Sequence, residues 1–232
     1  MGDGDAPPAL AYDVAVPLIA ANGALDAYTF LAHDGVFATA QTGNVVLFAI
    51  GLVRPAVAAP LPHLWPILAF VAGIAVARSL HSPAAPEGQR RSRRWVLAVQ
   101  VVALVVIAIF SSALPLWVIV SVISFLSALQ LALFRKVAAI TWVPIAMTGN
   151  LMRTTEAVHA VVTGDRDTRR PAAAQLALIV VFVAGVVLGA VTTTLLGGRA
   201  AFVPAALIAA DLAWIVSRGA VHRHRTVPPA TP

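Results

Sequence analysis

Thr42-Gly43-Asn44 returns as Thr148-Gly149-Asn150, 106 residues further along the chain. A repeated tripeptide is weak by itself, but its surroundings repeat as well. Gly23-Ala24-Leu25-Asp26 precedes the first copy and Ser127-Ala128-Leu129-Gln130 the second. Phe70-Val71-Ala72-Gly73 follows the first, as Phe182-Val183-Ala184-Gly185 follows the second. Each half closes with a further apolar segment, Trp95–Phe110 or Ala200–Val216. Four features in one order predict a duplication. The halves are 10–112 and 114–218, meeting near Ala113, and the tail 219–232 is expected to be disordered.

The composition says where such halves live. Of 232 residues, 59% are hydrophobic and 11% charged, against about 25% charged in a soluble domain. With a mean hydropathy of +0.87, the chain reads as an all-α polytopic membrane protein in a single membrane domain, with the lipid bilayer as its first partner. Zero cysteines exclude disulfides, thiolate metal sites and cysteine nucleophiles. The pI near 11.2 does not predict nucleic-acid binding, because the basic residues are scattered between apolar runs. In a membrane protein they report orientation. Met1 to Ala9 lacks the basic start of a signal peptide, so no cleavage is expected.

Eight apolar segments follow: Val14–Leu31, Val36–Val53, Leu64–Leu80, Trp95–Phe110, Leu114–Phe134, Val137–Val162, Ala173–Leu196 and Ala200–Val216. Length alone lets all of them span. Eight straight crossings from a cytoplasmic amino terminus divide the 16 basic residues 8:8 between the two faces. The positive-inside rule demands a bias. If one segment of each Thr-Gly-Asn pair enters and leaves by the same face, 3+3 crossings remain. Only Arg54 and Arg199 then lie outside, and 14 of 16 basic residues are cytoplasmic. Six crossings of a bacterial inner membrane, with both termini cytoplasmic, are therefore expected. Which partner of each pair fails to cross stays open, since either choice gives the same count.

An odd number of crossings per half inverts the second copy relative to the first. Inverted repeats recur in secondary transporters, with sites near the midplane on discontinuous helices. Backbone that breaks its helix in lipid survives only against protein or a wet cavity. Gly43 and Gly149 permit such a break, and Thr42 or Thr148 would cap the helix that resumes. A helix start at mid-depth suits a polar or anionic group.

The sequence resembles the YoaK-like family of bacterial integral membrane proteins, a domain of unknown function (1275). The resemblance rests on Gly23 to Asp26, Gly35-Val36-Phe37 and Thr42 to Asn44, with a weaker second copy from Ala128-Leu129-Gln130 to Thr148-Gly149-Asn150. It runs from Val14 to Val216 and implies a six-helix inner-membrane protein, with no substrate or reaction attached.

Polar residues at depth are the remaining candidates. Asp26, twelve residues past Val14, is the candidate coupling-ion residue; the plainer reading is a structural carboxylate bonded to its neighbours. Its counterpart Gln130 cannot ionise. Thr42, Gly43, Asn44, Thr148, Gly149, Asn150 and Gln130 form the candidate solute site, against a packing role in which small and amide residues join helices. Asn22 and Gln100 are assigned to packing. Arg153 and Glu156, at i and i+3, are expected to neutralise each other, and Asp211 to pair with a basic group at the cytoplasmic edge. None of the six histidines has zinc-ligand spacing, so neither metal nor other cofactor is expected. The chain carries no hydrolase, nucleotide-loop or metalloprotease motif, and no enzyme is expected. The expected function is secondary transport of a small polar or anionic solute. The alternative is a membrane scaffold in which the motifs serve helix packing. Whether copies associate into a homo-oligomer is not decided by the sequence.

Overall fold

The computed structural model describes residues 12–80, 86–134, 136–137, 140–141 and 147–225. Among them are the helices α1 (Tyr12–Ala32), α2 (Gln41–Val53), α3 (Pro60–Leu80), α4 (Pro86–Phe110) and α5 (Leu116–Leu133). A two-residue antiparallel ladder, β1 (Lys136–Val137) with β2 (Ile140–Thr141), precedes α6 (Met147–Val162). Helix α7 (Arg169–Leu196), a 3₁₀ turn (Gly197–Ala201) and α8 (Phe202–Arg225) complete the chain. The last helix continues past 218 to Arg225, into the stretch expected to be disordered. Residues 226–232 lie outside the described residues.

Five stretches are long and apolar enough to cross a membrane: Val14–Ala32, Pro60–Ser79, Arg91–Phe110, Leu116–Leu133 and the 50-residue Arg169–Arg218. The fold is that of a polytopic helical membrane protein. Helices α2 and α6 are shorter, with 13 and 16 residues. At about 1.5 Å per residue they fall short of a hydrocarbon core about 30 Å thick. In each Thr-Gly-Asn pair, then, the second member is the short one.

Two of the expected apolar segments are not helical throughout. Val36–Val53 becomes helical only at Gln41, and in Val137–Val162 the described residues form the short β1–β2 ladder before α6 starts at Met147. The break precedes the first motif instead of falling on it, and Gly43 and Gly149 both lie inside the first turn of a helix. Nor does Thr42 cap α2: the cap is Ala40, without a side-chain hydrogen bond. The residue preceding α6 lies outside the described residues.

Helix α1 packs along α7, and α3 along α5. Helix α1 also touches α8, α5 touches α4, and α4 meets α8; α2 leans on α3 and α6 on α7. Glycines make the tightest of these seams. A Cβ on Gly189 would stand 2.5 Å from the Ala24 carbonyl oxygen, and one on Gly185 would collide with that of Ala20. The parallel offset of these two contacts sets α1 and α7 running in the same direction. In the other seam a Cβ on Gly73 would stand 2.6 Å from the Phe125 oxygen.

The polarity is inside out relative to a soluble protein. Leu68, Val71, Val102, Val180 and Leu195 are exposed, while Asn22, Asp26, Thr29, Asn44, Gln100, Gln130 and Asp211 are buried. Apolar side chains facing outward fit a lipid solvent; buried polar groups need partners.

Candidate functional site

Helix α1 ends on two left-handed residues, Asp34 (φ 53°) and Gly35 (φ 70°). The Gly35 N–H returns to the Phe30 oxygen at 3.1 Å, closing the helix in the manner of a Schellman turn. Just beyond α1, His33 Nε2 and the Tyr28 hydroxyl lie 3.0 Å apart, and that hydroxyl donates to the Gly198 carbonyl at 3.1 Å. Burial holds the His33 imidazole below the ordinary histidine value, against an opposing pull from Asp34.

From Val36 to Ala40 the backbone is not helical, and Val36, Ala38 and Thr39 are fully buried. Side chains supply the acceptors that a helix would have provided. Phe37 N–H donates to Asn44 Oδ1 at 3.0 Å, and Ala38 N–H to Thr29 Oγ1 at 3.1 Å. Thr39 N–H donates to Asp26 Oδ1 at 2.8 Å, and Ala40 N–H to the same oxygen at 3.4 Å. The Thr39 hydroxyl donates to Asp26 Oδ2 at 2.6 Å. Carbonyls are paired too: Ser124 Oγ donates to Ala38 O at 2.6 Å, and Asn44 Nδ2 donates to Phe37 O. Four successive amides inside the bundle are thus satisfied by three side chains, which is what lets non-helical backbone persist there.

The sequence places these groups by spacing. Asp26 and Thr29, at i and i+3, stand on one face of α1, and Asn44 sits in the first turn of α2, seven residues beyond Phe37. Gly43 has its own part, since a Cβ there would lie 2.6 Å from the Phe37 ring. Thr29, Thr39, Ser124 and Gln41, whose Oε1 accepts from Asn44 Nδ2 at 3.0 Å, belong to this network and were not among the candidate site residues read from sequence. Only Thr29 carried a signal, its one-turn offset from a buried carboxylate.

The second copy repeats the placement of the motif. Thr42 and Thr148 are exposed, Gly43 and Gly149 half-buried, and Asn44 and Asn150 buried. Asn150 Oδ1 accepts from Arg153 Nη2 at 2.7 Å. Arg153 therefore turns to Asn150, while Glu156 is exposed on the same helix. Gln130, the counterpart of Asp26, is 2% exposed. Neither its Nε2 nor its Oε1 has a hydrogen-bond partner among the described residues. The same holds for Ser127 Oγ and for both amide atoms of Gln100. An unpaired buried polar group costs about 1–3 kcal/mol; His63 Nδ1, Arg94 Nε and Gln175 Oε1 are likewise without a hydrogen-bond partner among the described residues. Asp211 is buried on α8, and the Arg218 guanidinium lies 4.7 Å from the Trp214 ring centroid. No group of three or more His, Asp or Glu side chains able to hold a metal occurs among the described residues.

A family profile described as "Protein of unknown function (DUF1275)" matches residues 14–214. The chain belongs to this family. The DUF1275 match encloses both Thr-Gly-Asn motifs, Asp26, Gln100, Gln130 and Asp211. No curated protein and no solved structure matches the chain.

Proposed function

We propose that the protein is a secondary transporter of a small polar or anionic solute in the bacterial inner membrane, without enzymatic activity. It has six crossings, counting Arg169–Arg218 as the two helices α7 and α8, and both termini are cytoplasmic. The halves are inverted repeats in which α1 to α4 correspond to α5 to α8. The observation that carries this reading is the packing. Exchanging each helix for its counterpart turns α1 on α7 into α5 on α3, α1 on α8 into α5 on α4, and α2 on α3 into α6 on α7, while α4 on α8 maps to itself. Every one of these pairs is present. Such a pseudo-twofold arrangement, with short helices entered through non-helical backbone, is the architecture in which alternating access operates. The basic residues support the orientation, with 14 of 16 on one side.

In this reading the solute passes beside the starts of α2 and α6 and Gln130. Asp26 couples transport to an ion, since protonating it removes an acceptor and loosens the 36–40 segment. A second reading, a scaffold, is favoured by one observation: the bonds of Asp26 and Asn44 are already taken by protein. Cysteine accessibility in this naturally cysteine-free chain separates the two readings. Single cysteines at Asn44 and Asn150, with Arg54 and Arg94 as side markers, are exposed to impermeant thiol reagents from each face. Transport predicts motif positions that label, with Arg54 outside and Arg94 inside. Motif positions sealed from both faces would leave the scaffold.

A further inference from the structure

Three buried polar side chains on α4 and α5 take no part in the hydrogen bonds around Asp26, and they lie within about 6 Å of one level along the bundle. Arg93 Nε donates to the Leu133 oxygen at 3.1 Å, and the turn after Phe110 leads directly into α5. Both anchors set the helices antiparallel in the same register. Seven residues on from Arg93 is Gln100; seven back from Leu133 is Leu126. Ser127 therefore lies about 1.5 Å and Gln130 about 6 Å along α5 from the level of Gln100. These residues are 1%, 2% and 2% exposed, and their five side-chain polar atoms are without partners among the described residues.

We infer that Gln100, Ser127 and Gln130 seat the uncharged, hydrogen-bonding part of a solute, such as a carboxamide, urea or polyol group. This rests on the transporter reading and narrows it, because an anion is the wrong guest. Each glutamine offers two N–H donors and a carbonyl acceptor, and serine offers one of each. That set matches a ligand which both donates and accepts. The cations on this stretch of α4, Arg93 and Arg94, lie about 10 Å along the helix from Gln100. Arg93 is turned to the Leu133 oxygen and the Phe134 ring, and Arg94 Nη2 reaches the Ile215 oxygen at 3.4 Å while its Nε has no partner among the described residues. That Ile215 contact, carried along the antiparallel pair of α4 and α8, brings Asp211 to nearly the level of Gln100. An acid contributes a negative charge or none, and neither attracts an anion.

The test places the Ser127→Cys variant in reconstituted, sealed vesicles and follows labelling by a small impermeant thiol reagent applied to either face. Acetamide and potassium nitrate, at equal osmolarity, are the competing probes. The inference predicts labelling that acetamide slows by at least about threefold through occupancy and that nitrate leaves unchanged. Adding Gln100→Leu or Gln130→Leu abolishes that protection. Protection by nitrate alone, or labelling from both faces that neither probe slows, overturns the inference and leaves the transporter reading standing. An introduced thiol sealed from both faces overturns both.

Discussion

The Thr-Gly-Asn motif occurs twice, and the buried residues on the helix before it differ in chemistry between the two places. In the first half, Asp26, Thr29 and Asn44 bind the four amides from Phe37 to Ala40. In the second, the position of Asp26 is Gln130 and that of Gly23 is Ser127, both unpartnered among the described residues. The two positions thus carry different chemistries. A carboxylate, which only accepts, suits a row of backbone N–H donors; an amide, which donates and accepts, suits a guest. The comparison teaches that repeat-equivalent residues are best judged by what remains unpaired, not by which residue type recurs.

The largest effect that could break this contrast is expected at Asp26. Asp26→Ala strands the Thr39 N–H, the Thr39 hydroxyl and the Ala40 N–H, and should lower stability in thermal unfolding by at least about 3 kcal/mol. A harmless substitution would show that the segment is not held as described. Next come the seams. Gly185→Ala and Gly73→Ala should each cost about 1–3 kcal/mol by overpacking against backbone, and by similar amounts if the halves are true counterparts. A strong effect at one and none at the other would set the repeat aside. Gln130→Leu should have the opposite sign to Asp26→Ala, raising the unfolding midpoint by an amount worth about 1 kcal/mol, because an unpaired polar group is exchanged for an apolar one. A marked loss of stability there would mean that Gln130 has partners in the folded protein.

The smallest effect concerns pH. The folded chain binds the His33 proton less readily than the unfolded chain does, since burial lowers its pKa. The stability contributed by neutral His33 is therefore complete above about pH 6.5 and is lost as pH falls from there toward the folded-state value. Midpoints measured between pH 7 and 5 should fall by a modest amount, and His33→Gln should flatten that part of the slope. An unchanged slope would place the titration elsewhere.

The membrane class, the apolar segments and the family were all legible in the residues, because composition and a tandem motif survive without knowledge of contacts. Asp26 and Asn44 stood out as polar groups at depth. Their partners did not, since Thr39 and Ser124 are ordinary residues until the chain brings them to Asp26 and Ala38. The break was expected at Gly43 and lies earlier, because glycine's freedom marks where a helix can stop, whereas the side-chain acceptors for residues 37–40 decide where it does. Arg153 was expected to meet Glu156, one turn away on its own helix, and instead meets Asn150, one turn the other way. Spacing alone does not choose between such neighbours. Gln100 was assigned to packing, and only the missing partners separate it from an ordinary interhelical amide.

Hydrogen–deuterium exchange across residues 36–40 in the reconstituted protein tests the central contrast most directly. The account predicts amides at Phe37, Ala38, Thr39 and Ala40 that exchange at least about 100-fold more slowly than free peptide, although no helix contains them, and that lose this protection in Asp26→Ala. Exchange at the free-peptide rate in the unaltered protein would contradict it, since the 36–40 segment would then not be held by Asp26, Thr29 and Asn44.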